Sequence, residues 1–221
     1  MLSIVIPTLN AAATLPGCLA ALAGHAGEVV VVDGGSRDGT GTLAQAAGQR
    51  LIEAPRGRGP QLAAGAAAAT GDWLLFLHAD TRLAPDWPAA VADFMAASGA
   101  SGRAGYFRFA LDDASPAARR LERLVAWRCR HLGLPYGDQG LLLSRALYAE
   151  LGGYRPLPLM EDVDLVRRIG RRRLFALPVA ALTSASRYRR DGFRRRSLRN
   201  AACLALYLLG VPAHRVARLY G

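Results

Sequence analysis

The sequence predicts an α/β fold built around an open, mostly parallel sheet. Three observations predict it: apolar runs alternate with helical patterns over the first 98 residues, the runs are only four to six residues long, and polar residues follow them directly. Such runs are typical of buried parallel strands, and their alternation with helices favours right-handed βαβ units. A chain of 221 residues with 52% hydrophobic content has enough material for one large domain.

The first half is predicted to contain four strands and four helices. The strands are Leu2–Pro7, Glu28–Asp33, Arg50–Ala54 and Asp72–His78. The helices are Ala11–Ala23, Thr40–Ala47, Gln61–Thr70 and Pro85–Ser98. Short connections between these segments, with turn residues at their ends, support the βαβ arrangement.

The pattern loosens after residue 99, although no low-complexity linker divides the chain. Two further strands are predicted, at Gly105–Leu111 and Gly140–Ser144. Three further helices are predicted, at Ala117–Leu132, Glu161–Ile169 and Ser197–Leu209. The last helix is strongly apolar and is ended by glycine and proline. Residues 1–221 are therefore expected to form one domain with a C-terminal helical appendage.

Charge is unevenly distributed along the chain. The net charge is +11, with −3 in residues 1–100 and +14 in residues 101–221. The basic half favours an anionic partner, namely phosphates, an anionic membrane surface or nucleic acid. Nucleic acid is disfavoured because aromatic residues are sparse among the basic ones and no nucleic-acid motif occurs. All 28 basic residues are Arg, which a GC-rich genome explains as well as a function does.

The cysteines and the chain start favour a cytoplasmic protein. Cys18, Cys129 and Cys203 are scattered, and no Cys-x-x-Cys pair occurs, so neither a disulfide framework nor a zinc site is expected. The sequence opens directly on a strand, so no signal peptide is expected. The longest apolar run, Ala201–Val211, is too short to span a bilayer as a helix.

Polar side chains follow three of the predicted strands. Thr8 and Asn10 follow the first, Asp33 ends the second, and His78 and Asp80 close the fourth. Ligands bind at this edge of open α/β sheets, and oxygen and imidazole ligands suit a divalent metal that holds a diphosphate. If the chain stays extended, His78 and Asp80 lie on one side and share the metal. The alternative is a core histidine with a solvated aspartate.

Two glycine-containing loops are candidates for contacts to a nucleotide. In the first, Asp33 is followed by two glycines, Ser36 and Asp38, and its carboxylate can accept hydrogen bonds from a base or ribose. The alternative is an ordinary turn in which Asp38 caps a helix. In the second, Arg56 and Arg58 precede a helix and can approach phosphates. A solvated loop explains these two arginines equally well.

Acidic and basic clusters mark the second half. Glu161, Asp162 and Asp164 open a predicted helix, where one of them can act as a general base or where they simply favour the helix N-terminus. Residues 187–199 hold seven Arg and one Asp and run into the apolar stretch 201–211. That segment is a candidate membrane-surface anchor or diphosphate clamp. The alternative is a solvated basic face on a packed helix.

Together, in this order, these segments resemble family 2 glycosyltransferases of the GT-A fold. Residues 3–10 resemble the family's first strand and nucleotide-binding loop, and residues 32–40 resemble its Asp-Asp-Gly-Ser-x-Asp element. His78-Ala-Asp80 is similar to its metal-binding Asp-x-Asp motif, and Glu161-Asp162 to its acceptor-side Glu-Asp motif. The nearest resemblance is to a small bacterial subgroup whose metal motif reads His-Ala-Asp and whose C-terminal pattern resembles residues 183–210.

The resemblance implies an inverting transfer of a sugar from a UDP- or GDP-linked donor to a hydroxyl acceptor, assisted by Mn²⁺ or Mg²⁺. It implies that Asp80, with His78, binds the metal and that Asp162 is the catalytic base, with Glu161 beside it. The residues expected to bind the nucleotide sugar are Pro7, Thr8, Asn10, Asp33, Gly35, Ser36, Arg56, Arg58 and Ala79. Within this set, Asp33 matches the residue that contacts the base.

Two departures from the family pattern reduce the negative charge of the expected site. Gly34 replaces the second acid of the Asp-Asp pair, and His78 replaces the first acid of Asp-x-Asp. Imidazole ligation favours Mn²⁺ over Mg²⁺.

Residues 1–98 are expected to bind the donor and residues 99–221 the acceptor. The acceptor is unidentified, and a lipid-linked acceptor would be reached through peripheral membrane contact by residues 187–211 at the inner face of the plasma membrane. Two other functions remain open at this point. A sugar nucleotidyltransferase shares the α/β architecture but normally has a glycine-rich phosphate loop after the first strand. A non-catalytic membrane-surface adaptor explains the basic half but needs no acids at the strand ends.

Overall fold

One sheet organises the chain in this computed structural model, which describes residues 1–25 and 27–220. Its strands lie in the order β3-β2-β1-β4-β7-β6-β8-β5. The strands are β1 (Leu2–Thr8), β2 (Glu28–Asp33), β3 (Arg50–Glu53), β4 (Trp73–Phe76), β5 (Thr81–Leu83), β6 (Ala104–Leu111), β7 (Leu141–Ser144) and β8 (Leu174–Thr183). The helices are α1 (Leu15–Ala21), α2 (Thr40–Ala46), α3 (Arg58–Ala68), α4 (Trp87–Ala96), α5 (Pro116–Leu132), α6 (Arg145–Glu150), α7 (Glu161–Ile169), α8 (Ser186–Asp191), α9 (Phe193–Leu208) and α10 (Ala213–Tyr220).

The predicted fold, a mostly parallel sheet flanked by helices, is confirmed. Strands β1 to β4 pair in parallel, while β7 lies antiparallel between β4 and β6. Phe76 at the end of β4 pairs with Leu141 at the start of β7. Because β7 is reversed, the residues that precede it meet the residues that follow β4. The segments 77–80 and 137–140 therefore come together at one edge of the sheet.

Both faces of the central strands are buried, as their continuous apolar sequence predicts. Val5 faces one core cluster, while Ile4 and Ile6 face the other, and none of these three side chains is exposed. Each such burial stabilises the fold by about 1.5–3 kcal/mol. Helix α3 packs on β1 and β2 through Gly65, where a Cβ atom would lie 2.2 Å from Val5 Cγ1. Close packing of α3 sets the position of the loop that precedes it.

Strand β8 was not predicted from the sequence, because Pro178 interrupts its apolar pattern. The strand pairs in parallel with β6, and the register shifts between the pairs Tyr106–Ala176 and Arg108–Ala180. Pro178 lies within that irregularity. Proline is tolerated in a sheet at such a bulge, because no regular ladder hydrogen bond is lost there.

Several predicted helix and strand boundaries were wrong. Helix α1 begins at Leu15 instead of Ala11, because Pro16 starts the first turn. Helix α9 begins at Phe193 instead of Ser197, so part of the arginine run is helical. The fourth strand ends at Phe76, and helices α6, α8 and α10 were not predicted. Among the residues that the structure describes, every helix is too short or too polar to cross a membrane.

Candidate active site

Side-chain hydrogen bonds join the loops that follow β1 and β2. The Asn10 side chain accepts from the Arg37 N–H at 2.9 Å, and the Ser36 hydroxyl accepts from the Asn10 N–H at 2.8 Å. Asp38 accepts from the Ala12 N–H at 2.9 Å. Asn10 itself has φ 49°, a left-handed conformation that asparagine tolerates better than most residues. The two loops therefore form one cross-linked unit.

Asp33 is the centre of this unit. Its Oδ1 accepts from the Thr8 and Ser36 hydroxyls at 3.0 and 2.5 Å, and its Oδ2 accepts from the Gly35 and Ser36 N–H groups at 3.1 and 2.7 Å. Burial alone would raise the pKa of Asp33, but the hydrogen bonds from Ser36, Thr8 and Gly35 outweigh burial and hold the pKa below its ordinary value. The ionised carboxylate thus shapes the loop, and its contact to a nucleotide base stays a prediction.

Gln61 on α3 ties the two strand ends together and was missed from the sequence. It is buried, and its Nε2 donates to the carbonyls of Thr8 at 2.7 Å and Val32 at 2.8 Å. A Cβ atom at Gly34 would lie 3.0 Å from the Gln61 amide. An acid at position 34 would therefore displace this glutamine, which gives a physical reason for the glycine. The sequence signal was a polar residue on the apolar face of an Ala-rich helix.

A cleft of about 370 Å³ brings together polar residues from several elements. Its polar lining includes Arg58, His78, Asp80, Asp138, Asp162 and Arg187. The predicted extended conformation across His78 and Asp80 was wrong. The Thr81 N–H donates to the His78 carbonyl at 3.1 Å, so the chain turns there. Both side chains nevertheless reach the cleft, as the turn follows the end of β4 directly.

His78 and Asp162 approach each other across Gly137. The Gly137 N–H donates to Asp162 Oδ2 at 2.8 Å, and a Cβ atom on Gly137 would lie 2.6 Å from His78 Nε2. Burial, together with the positive charge of Arg58 and Arg187, lowers the pKa of His78 to about 3 against the opposing effect of Asp162. The imidazole is therefore neutral and keeps a lone pair free for ligation.

Backbone strain lies directly before the two acids. Met160 has φ 66°, in the left-handed region that an unbranched side chain adopts only at a cost of about 1–3 kcal/mol. This residue turns the chain into α7, so that Asp162 lies in the first turn of that helix. The Val163 N–H donates to Asp162 Oδ1 at 2.7 Å. Two backbone donors thus fix the orientation of the Asp162 carboxylate.

Asp138 is a further acid of the cleft that the sequence did not single out. It lies in a short 3₁₀ turn just before β7, and its Oδ1 is buried without a hydrogen-bond partner in the protein. Burial raises the pKa of Asp138 to about 6; Arg128 opposes this, while the neighbouring Asp162 and Asp80 add to it. Asp138 precedes β7, whose antiparallel direction brings this residue to the end of β4.

Glu161 is enclosed behind the cleft. Its side chain is 1% exposed, and its Oε1 lies 3.0 Å from Arg58 Nε. Neither carboxylate oxygen accepts a well-oriented hydrogen bond, so the contact is ionic. Burial raises the pKa of Glu161 to about 7; Arg58 opposes this and Asp162 adds to it. Glu161 therefore pairs with Arg58 at the start of α3 but does not line the cleft.

The other residues predicted to bind the donor lie at the ends of β1, β2 and β4 and in the loop before α3. Pro7 is buried within β1, and Ala79 is buried in the turn after β4. Gly35 has φ 90° and is partly exposed beside Asp33. Arg56 is exposed in the loop before α3. Within the described part of the chain, no three His, Cys, Asp or Glu side chains are placed to hold one metal ion.

Residues 3–142 match the profile of Glycosyl transferase family 2. The chain belongs to glycosyl transferase family 2. This confirms the resemblance found in the sequence and favours a transferase over the two alternative functions. The matched region runs from β1 to β7. It contains the loops that follow β1 and β2, the His-Ala-Asp turn at residues 78–80 and Asp138.

Known proteins resemble the chain in sequence over a short region and in fold over most of its length. Proteins of Mycobacterium tuberculosis and Mycobacterium bovis named PGL/p-HBAD biosynthesis glycosyltransferase are 45% identical over 93 residues, covering 38% of this chain. The chain spans only 36% of their length. Glucosyl-3-phosphoglycerate synthase of Mycobacterium tuberculosis, solved with Mn²⁺ and UDP, is 20% identical with a TM-score of 0.62 over 96% of this chain and 79% of that one.

A second solved structure has the same fold. A mannosyltransferase of Pyrobaculum calidifontis, in complex with GDP-Man and Mn²⁺, is 18% identical with a TM-score of 0.63. The alignment covers 91% of this chain and 60% of that one. At these identities the likeness shows the shared fold of this family 2 chain and these proteins.

The C-terminal segment of this family 2 chain divides its residues between core and surface. Arg196 is buried, pairs with Asp191 at 2.8 Å and donates to the Tyr220 hydroxyl at 3.0 Å. Arg194 and Arg195 are exposed. Within this candidate membrane-contact segment, Leu204 and Leu206 pack on the core, while Leu208 and Leu209 are exposed.

Proposed function

We propose that this chain is an inverting, metal-assisted glycosyltransferase that moves a sugar from a UDP- or GDP-linked donor to a hydroxyl acceptor. The observation that carries the proposal is the orientation of Asp162, fixed by the Gly137 N–H at 2.8 Å, in the same cleft as His78 and Asp80. Residues 1–98 would bind the donor and residues 99–221 the acceptor. The complexes of the similar structures with UDP, GDP-Man and Mn²⁺ support this assignment.

His78 and Asp80 are the residues that would hold the metal, either Mn²⁺ or Mg²⁺. The neutral imidazole of His78 and the carboxylate of Asp80 are suitable ligands. The buried Asp138 Oδ1 lines the same cleft and accepts no hydrogen bond from the protein, so it would be free to face the ion. Oxygens of the donor diphosphate would complete the coordination, as is common for such ions. When bound, the metal would stabilise the charge that develops on the departing diphosphate.

Asp162 would act as the base in this reaction. As the acceptor oxygen attacks the anomeric carbon, its proton passes to the Asp162 carboxylate, and the bond to the diphosphate breaks with its electron pair on the leaving group. Arg56, exposed beside the N-terminus of α3, would contact the phosphates. Arg58 would hold Glu161 in place and connect the phosphate side to the acceptor side.

Metal-dependent nucleotide binding tests the donor site. UDP or GDP is expected to bind much more tightly with Mn²⁺ than with EDTA, and a nucleotide-sugar panel with Mn²⁺ is expected to identify a donor that is hydrolysed. Asp80→Ala should remove most of the metal-dependent difference. Asp93→Ala, an exposed acid on α4, is the matched control and should leave it intact. Equal binding with and without metal in calorimetry would overturn the proposal.

Peripheral membrane contact is a second proposal, supported by exposed Arg194, Arg195 and Leu208 on α9 and by exposed Leu209 directly after it. Arginines on anionic headgroups and leucines at the interface would place the enzyme at the inner face of the plasma membrane. Co-sedimentation with anionic liposomes should weaken with salt and fall in the double variant Arg194→Ser and Arg195→Ser. Arg196 is kept because it is buried and paired. No binding at low salt would contradict the proposal.

A further inference from the structure

The cleft has an apolar wall that the proposed chemistry does not use. Helix α5 contributes Leu121, Leu124, Val125 and Trp127 to the lining, and α9 contributes Leu204. All of the lining residues lie between positions 58 and 220, so the donor loops after β1 and β2 do not form this wall. The wall therefore belongs to the acceptor side of the proposed reaction.

Two of these side chains are exposed and take no part in packing α5 on the core. The side of α5 that faces the core is formed by Ala118, Val125 and Cys129, all of which are buried. Leu124 is 62% exposed and Trp127 is 55% exposed. A contiguous exposed apolar patch of this kind is typical of a ligand-binding or interaction surface.

The cleft also has a polar lining. His78, Asp80, Asp138 and Asp162 belong to it, and Arg58, Arg128, Arg187 and Arg196 balance the three carboxyl groups. A hydroxyl that enters the cleft can donate a hydrogen bond to Asp162. The volume of about 370 Å³ suits a small molecule rather than a protein segment. A small cleft with both polar and apolar lining residues fits an amphiphilic molecule, which has a polar group and an apolar group.

We propose that the cleft binds an amphiphilic acceptor, with a neutral hydroxyl beside Asp162 and an alkyl chain along Leu121, Leu124 and Trp127. This inference rests on the proposed glycosyl transfer, because it names the class of acceptor for that reaction. The apolar chain is held by α5 and α9, and the hydroxyl is delivered to the base. Affinity then depends on the length of the alkyl chain.

A homologous series of 1-alkanols tests the apolar wall without a known acceptor. Butanol, hexanol and octanol, each below its solubility limit, are titrated by calorimetry and by tryptophan fluorescence. Affinity should rise by about fourfold for each added methylene, the ratio expected for burying one CH₂ group. Saturable one-to-one binding is expected. Equal affinity for butanol and octanol, or binding that does not saturate, would overturn the assignment.

Variants at exposed positions locate the binding without endangering the fold. Leu124→Ser and Trp127→Ser should each weaken octanol binding by about tenfold and flatten the dependence on chain length. Phe175→Ser is the matched control, since Phe175 is 39% exposed and lies outside the cleft. An equal loss in the Phe175 variant would show that the alkanols bind elsewhere and would overturn the proposal.

Nucleotide binding in the same samples separates this inference from the proposed function. If UDP or GDP binds with Mn²⁺ but alkanol affinity does not depend on chain length, the amphiphilic acceptor is wrong and the transferase stands. If octanol binds as expected but neither nucleotide binds with metal, the transferase proposal fails. The cleft would in that case still be an amphiphile site, and its role as an acceptor site would be refuted.

Discussion

The loops that follow β1 and β2 differ from the acids around Asp162 in how their carboxylates are hydrogen-bonded. Around Asp33, both carboxylate oxygens accept hydrogen bonds from the chain itself. Around Asp162, by contrast, Asp138 and Glu161 have buried oxygens without a hydrogen-bond partner in the protein. The first region is organised before anything binds. In the second, two backbone donors orient Asp162, but the buried oxygens of Asp138 and Glu161 stay unpaired, and an unpaired buried polar group is costly.

The pKa values report the same contrast. The hydrogen bonds hold the pKa of Asp33 below its ordinary value despite burial, so this acid stays charged. Burial raises the pKa of Asp138 to about 6 and that of Glu161 to about 7. Groups that titrate near neutrality are common at catalytic sites, while strongly ionised ones more often serve structure. The comparison therefore favours a structural role for Asp33 and makes the acids around Asp162 the candidates for chemistry.

Asp162→Asn should have the largest effect and tests the chemical half of the comparison. Turnover should fall by about 10²–10⁴, the usual range for the loss of a general base, while UDP or GDP affinity stays nearly unchanged. Initial-rate measurements with the identified donor, together with calorimetry, separate the two effects. If Glu161→Gln causes the larger loss and Asp162→Asn stays active, the base has been assigned to the wrong acid.

Gln61→Leu should have a smaller effect and tests the structural half. Loss of the amide removes two buried hydrogen bonds, to the carbonyls of Thr8 and Val32, which keep the Gly34 N–H and the Thr8 hydroxyl as donors. At about 0.5–1.5 kcal/mol for each bond, the free energy of unfolding should fall by about 1–3 kcal/mol. Urea denaturation measures the change. Gln49→Leu is the control, because the Gln49 bond to the Ala47 carbonyl is exposed and should contribute little. Equal stability of the two variants would show that the donor loops do not depend on this residue.

Glu161→Gln should have the smallest effect, visible as a difference in pH dependence. The pKa of Glu161 is about 7 in the folded chain and 4.5 ordinarily, so the folded state binds this proton more tightly than the unfolded state does. Its contribution to stability is fully present below pH 4.5 and is lost as the pH rises towards 7. The glutamine variant lacks that loss.

The difference between the two proteins isolates this acid, since other titrating groups, Asp138 included, are common to both. Thermal or urea unfolding at pH 5 and pH 7 should show the wild type losing on the order of 1 kcal/mol more than the variant. Equal changes in the two proteins would mean that Arg58 keeps Glu161 ionised throughout this range.

Much of the donor half could be predicted because its signals are local. Short apolar runs predicted the positions of β1, β2 and β4. Parallel strands end at the same edge of a sheet, so Asp33 and Asp80 were expected near a common site, and this stays a prediction because Asp80 lines the cleft and Asp33 does not. Strand β8 was missed because Pro178 breaks its pattern. The turn after β4 was also missed, since nothing in the residues 77–80 distinguishes a turn from an extended continuation.

Asp138 shows what local signals leave out. It reaches the cleft because β7 runs antiparallel between β4 and β6 and so presents its N-terminal end there. Strand direction depends on pairings between segments 65 residues apart, such as Phe76 with Leu141. Gln61 was missed for a similar reason, because its partners are carbonyl groups that only the folded strands bring together.

Met1 and Tyr220 lie at very different distances from the cleft, and this decides at which of these two positions a tether should be attached. Tyr220 lines the cleft and accepts a hydrogen bond from buried Arg196, so any peptide fused after it starts beside the acceptor wall. The amino group of Met1, 3.0 Å from Asp72, precedes β1, whereas the donor loop follows Thr8 at the far end of that strand, roughly 20 Å away at the rise of an extended chain. An affinity handle or a surface tether attached at the amino end leaves both the donor loops and the cleft open to solution.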